Sequence, residues 1–147
     1  MFVVLTRHAD PAPGGPDPGL SGAGIKRAAT LARMLAGSGI TAIFTSSLRR
    51  TKDTAAPLAA QLSISPSVID DDFAAAAAQV KAAGNGVAAG TCVLVVGHSN
   101  TVPEIITALG GPSNVVIGAT EFDRMFVLNI LHGPAGAGSL LSMRYGA

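Results

Sequence analysis

Two histidines and two arginines stand where apolar runs of the sequence end. Arg7 and His8 follow the run FVVLT, His98 follows TCVLVV after a single glycine, and Arg50 comes soon after ITAIFT. An arginine guanidinium binds phosphate oxygens through paired hydrogen bonds, and a neutral imidazole can attack phosphorus as a nucleophile. If the four side chains meet, the chemistry that they support is phosphoryl transfer to a histidine.

The apolar runs are predicted strands, and amphipathic stretches between them are predicted helices. The strands are expected at 2–6, 40–45, weakly at 67–70, and at 91–96, with a closing pair at 123–131 and 139–145. The helices are expected within 20–39 with Ser21 as N-cap, after an N-cap at Ser46 or Ser47, at 72–83, and after His98 with Pro103 in the first turn. Residues 10–19 contain four prolines and three glycines and are predicted to form a loop.

Strands that alternate with helices indicate βαβ units and a mainly parallel sheet. We therefore predict an α/β fold, in which residues 1–147 form a single three-layer α/β/α domain. Ligands of such sheets bind beyond the carboxyl ends of the strands. Three predicted strands end near Arg7 and His8, Arg50, and His98, so these side chains are expected at one edge of the sheet.

Composition excludes several other classes of protein. The chain of 147 residues is 48% hydrophobic and 13% charged with a net charge of +1, which predicts a globular protein without a general attraction to nucleic acid or membrane. No signal peptide or membrane span is recognisable, so a soluble, cytoplasmic protein is expected. The single cysteine, Cys92, is interpreted as an inert buried thiol. Residues Lys26, Arg27 and Arg33 are expected on solvated helix faces, and His132 in a loop.

Four segments in order resemble the histidine phosphatase superfamily, the phosphoglycerate-mutase-like group, and most closely its short, SixA-like bacterial branch. They are LTRHADPA, LSGAGIKRAATLA, FTSSLRRTKDTAAPLA and VVGHSNTVPEI, which together span about residues 2–110. The resemblance implies a phosphoglycerate-mutase-like fold and a metal-independent phosphatase without a cofactor. Its substrate would be a phosphorylated small molecule or a phosphoprotein, namely a phosphomonoester or a protein phosphohistidine.

The resemblance also implies roles for individual residues. His8 would be the nucleophile that becomes phosphohistidine, and Arg7 and Arg50 would bind the phosphoryl group. His98 would bond the phosphoryl oxygens, while Ser99 would contribute its backbone N–H and hydroxyl at the pocket rim. Arg49 is the alternative to Arg50 as the second phosphate-binding arginine. Arg50 and Thr54 are spaced i, i+4 and share a helix face, which favours Arg50 for this role.

The sequence departs from the family pattern around the nucleophile. Ala9 stands where the family usually has glycine, and loop 11–19 lacks the asparagine that contacts phosphate in many members.

A general acid is also hard to identify, although departure of an alkoxide needs a proton donor. Candidates are Asp10, Asp70, Asp71 and Glu104. The simpler interpretation of 70–72 is a solvated turn with Asp72 as N-cap. A phosphohistidine substrate would need no strong acid.

Other functions fit the sequence less well. In VGHSNT, Gly97-His98-Ser99 resembles the nucleophile elbow of serine hydrolases, but Thr101 replaces the final glycine. A metal hydrolase is disfavoured because Arg7 beside His8 repels a divalent cation. A phosphate-binding or regulatory module without turnover stays open, as does a mutase, although the insertions that usually build a mutase pocket are lacking. The composition is compatible with either a monomer or a dimer.

Overall fold

A six-stranded sheet forms the middle layer of the protein. The computed structural model describes residues 1–85, 90–131 and 137–146, which leaves His132 outside the described residues. The strands are β1 (Phe2–Arg7), β2 (Ile40–Thr45), β3 (Ser67–Val68), β4 (Cys92–Gly97), β5 (Arg124–Ile130) and β6 (Ala137–Arg144). The helices are α1 (Gly22–Leu35), α2 (Arg49–Leu62), α3 (Phe73–Ala83) and α4 (Thr101–Ala108).

The strand order is β3-β2-β4-β1-β5-β6. Strands β1 to β4 pair in parallel, whereas β5 runs antiparallel to both of its neighbours. The predicted α/β fold with a mainly parallel sheet is therefore confirmed, and the predicted closing pair of strands is present.

Alternation along β1 shows how the two outer layers attach to the sheet. Val3 and Leu5 belong to one hydrophobic core with residues of α3 and α4, and Val4 belongs to a second core with residues of α1 and α2. Successive side chains of a strand point to opposite faces, so each face of the sheet carries one pair of helices. Every residue of the central strand β4 is buried, as is its Cys92 thiol, whose pKa is raised by burial.

The third strand is shorter than predicted. It pairs only with β2, at the edge of the sheet, and both Ser67 and Val68 are exposed. Ile69 still donates its N–H to the Thr45 carbonyl, but Asp70 then begins a turn by accepting the Asp72 N–H at 2.9 Å. The strand ends early because that turn starts within the four residues predicted to be extended.

The predicted cap of α2 is wrong, whereas those of α1 and α3 are confirmed. Ser21 accepts the Gly24 N–H and Asp72 accepts the Ala75 N–H, as N-cap side chains do. Helix α2 instead begins after Leu48, whose apolar side chain cannot accept a hydrogen bond; the Ser46 hydroxyl accepts the Leu48 N–H at 3.3 Å and also contacts a histidine described below. The first free N–H of α2 is satisfied by Asp17 of the proline-rich loop, 2.9 Å from the Arg49 nitrogen.

No helix among residues 1–85, 90–131 and 137–146 is both long and apolar enough to span a membrane.

Candidate active site

Two neighbouring strands bring His8 and His98 together. In the parallel pair of β1 and β4, Arg7 is aligned with Gly97, and the His8 N–H extends the ladder by donating to the Gly97 carbonyl at 2.8 Å. Each histidine is therefore the first residue beyond its strand. The centroids of the two rings are 5.3 Å apart. The proximity that the predicted topology required is present.

The hydrogen bonds of His8 determine which ring nitrogen is free to react. Nδ1 lies 2.8 Å from the Ala9 carbonyl oxygen, and a carbonyl can only accept, so Nδ1 carries the hydrogen. Nε2 therefore has the lone pair, and the Arg50 Nε–H donates to it at 3.2 Å. Burial, together with the charges of His98, Arg7 and Arg50, lowers the pKa of His8 to about 4. The ring is therefore neutral at pH 7 and nucleophilic at Nε2.

Thr54 joins the end of β1 to the helix that carries Arg50. Its hydroxyl accepts the Ala9 N–H at 2.8 Å and donates to the Arg50 carbonyl at 2.7 Å. The side chain is fully buried, so both bonds are shielded from water. Sequence spacing placed Thr54 on the face of Arg50, but gave no sign that it binds the backbone next to His8.

Arg7 is fixed by a segment that the sequence did not connect with the site. Its Nη1 donates to the carbonyl oxygens of Gly118, Ala119 and Glu121 at 3.1, 2.8 and 3.1 Å, and its guanidinium lies 4.0 Å from the centroid of the Phe122 ring. Burial and the neighbouring Arg50 lower the pKa of Arg7. Its Nε is buried and has no hydrogen-bond partner within the described part of the chain. One edge of the guanidinium therefore orients the side chain of Arg7.

His98 contacts α4 and the loop before α2. Its Nε2 lies 2.8 Å from the Ser46 hydroxyl oxygen, and its backbone N–H donates to the Thr101 hydroxyl at 2.9 Å. Burial, followed by the charges of Arg50 and Arg7, lowers the pKa of His98 to about 4. Both histidines are consequently neutral in the empty site at pH 7.

The four side chains open into one cavity of about 300 Å³. Its lining residues are Arg7, His8, Leu48, Arg50, His98, Ser99, Asn100 and Thr101. Two guanidinium groups and two imidazoles give it the charge and the donors that a phosphoryl group requires. The described residues contain no group of three or more His, Cys, Asp or Glu side chains that could hold a metal ion.

Asp10 is paired with a residue that was predicted to be solvated. Its Oδ2 accepts from Arg27 Nε at 2.7 Å, and Arg27 Nη1 also donates to the Tyr145 carbonyl at 2.9 Å. The side chain of Arg27 is only 11% exposed, so its placement on a solvated face is wrong. Burial raises the pKa of Asp10, but the hydrogen bond and charge of Arg27 outweigh it and lower that pKa overall. Asp10 is thereby held ionised and does not line the cavity.

The other candidate acids also lie outside this cavity. Asp70 and Asp71 are exposed and line a second cavity of about 290 Å³, which adjoins the first because Leu48, His98 and Thr101 line both. Glu104 is exposed on α4 and lines neither cavity. Within residues 1–85, 90–131 and 137–146, therefore, no carboxylate lines the cavity of the two histidines.

About half of the sequence matches a family of known proteins. The sequence profile of the histidine phosphatase superfamily (branch 1) matches residues 3–77, just over half of the chain. This stretch includes Arg7, His8 and Arg50, and it ends before His98. No curated protein matches the chain significantly by sequence.

Solved structures of phosphatases share the fold. The protein histidine phosphatase SixA, complexed with tungstate, has a TM-score of 0.77 at 23% identity, and the match covers 98% of this chain and 97% of SixA. A mycobacterial glucosyl-3-phosphoglycerate phosphatase with inorganic phosphate has a TM-score of 0.68 at 17% identity, covering 99% and 97% of the two chains. The predicted phosphoglycerate-mutase-like architecture is thus confirmed as a fold.

Proposed function

The chain belongs to the histidine phosphatase superfamily and is a phosphatase, and on this basis we propose that it hydrolyses its substrate through a covalent phosphohistidine on His8. The reaction needs no metal, because the cationic side chains of the site neutralise the phosphoryl oxygens and would repel a divalent cation. The substrate is a phosphomonoester or a protein phosphohistidine.

The observation that carries the proposal is the protonation state of His8. Its Nδ1 hydrogen is held by the Ala9 carbonyl, so the unprotonated Nε2 lies in a cavity with two arginines. An imidazole in this state can attack phosphorus without first losing a proton. The two guanidinium groups beside that nitrogen supply the charge that a bound phosphoryl group requires.

The proposed roles of the other residues follow from their contacts. Arg50, which in the empty site donates to His8 Nε2, would turn to the phosphoryl oxygens when the substrate binds. Arg7 lines the same cavity and would offer guanidinium N–H groups that residues 118–121 do not occupy. Ser99 lies at the rim just before α4, where free N–H groups of the helix favour an anion.

The two classes of substrate both have structural parallels. SixA is a protein histidine phosphatase, and the mycobacterial neighbour is a phosphatase of glucosyl-3-phosphoglycerate. The open cavity beside His8 sets no size limit that separates a small phosphomonoester from a phosphorylated protein side chain. We therefore propose a phosphorylated small molecule or a phosphoprotein as the partner, and no nucleic acid or membrane.

Trapping the intermediate tests the proposal. Brief incubation with a ³²P-labelled reactive phosphodonor, followed by alkaline denaturation, should leave an acid-labile label on the wild-type chain and none on the His8→Ala variant. Mass spectrometry should place the label on His8. Absence of label from the wild-type protein, or equal labelling of both proteins, would contradict the covalent mechanism.

A phosphate-binding module without turnover is the second candidate. The observation in its favour is that no carboxylate from the described part of the chain lines the cavity, since a phosphomonoesterase normally protonates its leaving group. Such a module would bind inorganic phosphate or vanadate with wild-type His8 but release no product from any phosphorylated compound. A screen of phosphorylated metabolites, phosphopeptides and a phosphohistidine protein distinguishes the two functions.

A further inference from the structure

Among the described residues that line the histidine cavity, the two imidazoles are the side chains that titrate between pH 3 and 8 in proteins. The remaining ionisable side chains among these described residues are those of Arg7 and Arg50, and a guanidinium group does not act as a proton donor in proteins. Departure of an alkoxide still requires a proton. Because His8 uses its free nitrogen as the nucleophile, His98 is the group left to move that proton.

Hydrogen bonds around His98 identify the nitrogen that its surroundings occupy. The Thr51 hydroxyl lies 2.9 Å from the Leu48 carbonyl oxygen, which can only accept, so Thr51 donates there. At the 2.8 Å contact between the two hydroxyls, Ser46 must then be the donor to Thr51. The Ser46 oxygen has only lone pairs left for His98 Nε2, also 2.8 Å away, and Nε2 therefore carries a hydrogen.

The opposite order of donors satisfies fewer groups. If Ser46 donated to His98, Thr51 would have to donate to Ser46 and its contact with the Leu48 carbonyl would contain no hydrogen. In the first arrangement the Ser46 oxygen donates once and accepts from both His98 and the Leu48 N–H, the latter at 3.3 Å. The network therefore favours the Nε2–H tautomer of His98.

The two histidines consequently hold opposite tautomers. His8 is protonated at Nδ1 and free at Nε2, whereas His98 is protonated at Nε2 and free at Nδ1. A proton taken up by His98 can only go to Nδ1, since Ser46 already occupies Nε2. This places one exchangeable proton on the catalytic pair without protonating the nucleophile.

We propose, resting on the phosphatase function proposed above, that Nδ1 of His98 is the general acid and base of the reaction and replaces a carboxylic acid. In the first step the bond from His8 Nε2 to phosphorus forms, the bond from phosphorus to the leaving atom breaks, and that atom takes the proton from His98 Nδ1. In the second step the water oxygen bonds to phosphorus and the N–P bond breaks, returning its electron pair to His8 Nε2. The proton released by water goes to His98 Nδ1, which restores the starting state.

The charges that face His98 explain when it gains this proton. Arg7, Arg50 and His8 face it within the histidine cavity, and Asp70 and Asp71 line the adjoining cavity. In the empty site the arginines and burial keep the imidazole neutral. A phosphoryl dianion would cancel the two guanidinium charges and favour the imidazolium form of His98. Binding of the substrate would therefore protonate the general acid.

The leaving group dependence of kcat/KM tests the role of His98. A series of aryl phosphates from 4-nitrophenyl to unsubstituted phenyl and benzyl phosphate would be measured with wild type and His98→Gln, which keeps an amide donor but cannot transfer a proton. Wild-type kcat/KM should change little along the series. The variant should lose about 10²–10⁴-fold more with the poorest leaving group than with 4-nitrophenyl phosphate, the range typical of general acid catalysis.

Matched variants distinguish a general-acid role of His98 from the same role of a carboxylate. Asp71→Asn and Glu104→Gln should leave the wild-type slope unchanged; a steeper slope in either would assign the acid to that carboxylate and overturn the proposal. An equal loss of kcat/KM across the series in His98→Gln would also overturn the proposal, because losing a purely electrostatic role lowers kcat/KM by the same factor for every substrate. With label still trapped on His8, either result rejects the role of His98 alone. Absence of both label and turnover in wild type would instead reject the phosphatase function, and the role of His98 with it.

Ser46 is the residue that positions the His98 ring. Its role is tested by measuring the tautomer of His98 directly. Two-bond ¹H–¹⁵N spectra of the wild-type protein near pH 7 should show His98 protonated at Nε2 and His8 protonated at Nδ1. Ser46→Ala should mix the tautomers of His98, lower kcat/KM for phenyl phosphate by about tenfold, as expected for one lost hydrogen bond, and shift the pH profile. Ser46→Thr, which keeps the hydroxyl, should restore all three properties. A wild-type spectrum with His98 protonated at Nδ1 would overturn the proposed proton path.

Discussion

At the scale of single residues, reactivity at this site depends on which atoms are already occupied. The Ala9 carbonyl holds one nitrogen of His8, and three carbonyl oxygens hold one nitrogen of Arg7. In each side chain the atoms that remain are those proposed to meet the phosphoryl group. The site is thus preorganised by backbone groups, which cannot change their charge or rotate away.

The adjacent arginines of α2 should differ sharply in function. Arg50→Lys keeps the charge but loses the guanidinium fork, so the inhibition constant of vanadate should rise by about ten- to a hundredfold. Arg49 is the matched control, because it is exposed and forms a surface ion pair with Asp53 at 3.2 Å. Arg49→Lys should change the constant less than twofold, and a larger effect there than at Arg50 would reverse our assignment of the two residues.

The sequence was sufficient to predict which chemical groups meet, but not what holds them. His8, His98, Arg7 and Arg50 follow apolar runs, and parallel strands necessarily end at one edge. Ser46, Thr54 and Phe122 carry no comparable signal, since a buried hydroxyl and a phenyl ring are common in any core. Ser46 was predicted as a helix cap, because local spacing cannot reveal that His98, 52 positions away, takes the same hydroxyl.

At the scale of elements, helix α1 approaches the loop after His8 unusually closely. A Cβ atom added to Gly24 would overlap the Asp10 carbonyl oxygen, to which the Ser21 N–H also donates at 3.0 Å. The absence of a side chain at this one position allows the first turn of α1 to rest on the backbone two residues beyond the nucleophile. The loop between β1 and α1 is therefore clamped at its beginning.

Two alanine substitutions in the first turn of α1 test this contact. Gly24→Ala should lower the free energy of unfolding by about 1–3 kcal/mol, because the clash is with backbone rather than with a flexible side chain. Gly22→Ala is the control, since nothing lies within 4 Å of an added Cβ there, and it should be neutral or stabilise by up to about 1 kcal/mol. Urea denaturation measures both, and equal effects would show that the close approach is absent in solution.

The helices and strands were predictable where the local hydrophobic pattern matches the burial of the segment in the folded protein. Strand β4 reads as a continuous apolar run because both of its faces are covered, and its position was predicted to within one residue. The length of strand β3 was overestimated because Ile69 continues the apolar pattern, whereas its neighbour Asp70 is already part of a turn. Asp17 caps α2 from a loop more than thirty residues away, a contact that no local motif encodes.

At the scale of the whole molecule, the two histidines of the cavity connect catalysis to stability. Both have a pKa of about 4 in the folded protein, compared with 6.5 for an unperturbed histidine. Between these values the unfolded chain binds more protons than the native protein. The free energy of unfolding must therefore fall as pH decreases from about 6.5 towards 4.

This pH dependence is measurable by urea denaturation between pH 5 and pH 7, above the range in which most carboxylates titrate. The wild-type free energy of unfolding should decrease steadily towards pH 5. At its steepest, the slope against pH should correspond to the uptake of about two protons on unfolding. The double variant His8→Gln, His98→Gln should remove most of this slope. An unchanged slope in the double variant would mean that neither imidazole is neutral in the folded protein at pH 5.

The register of β1 against β4 has a consequence for how activity is lost. His8 is attached to the sheet by its own N–H on Gly97, directly beyond β1 and beside the fully buried strand β4. Local openings of the outer strands or helix ends leave that ladder intact. We therefore expect the His8 N–H to be among the slowly exchanging amides, and the geometry of the nucleophile to survive until the sheet itself unfolds.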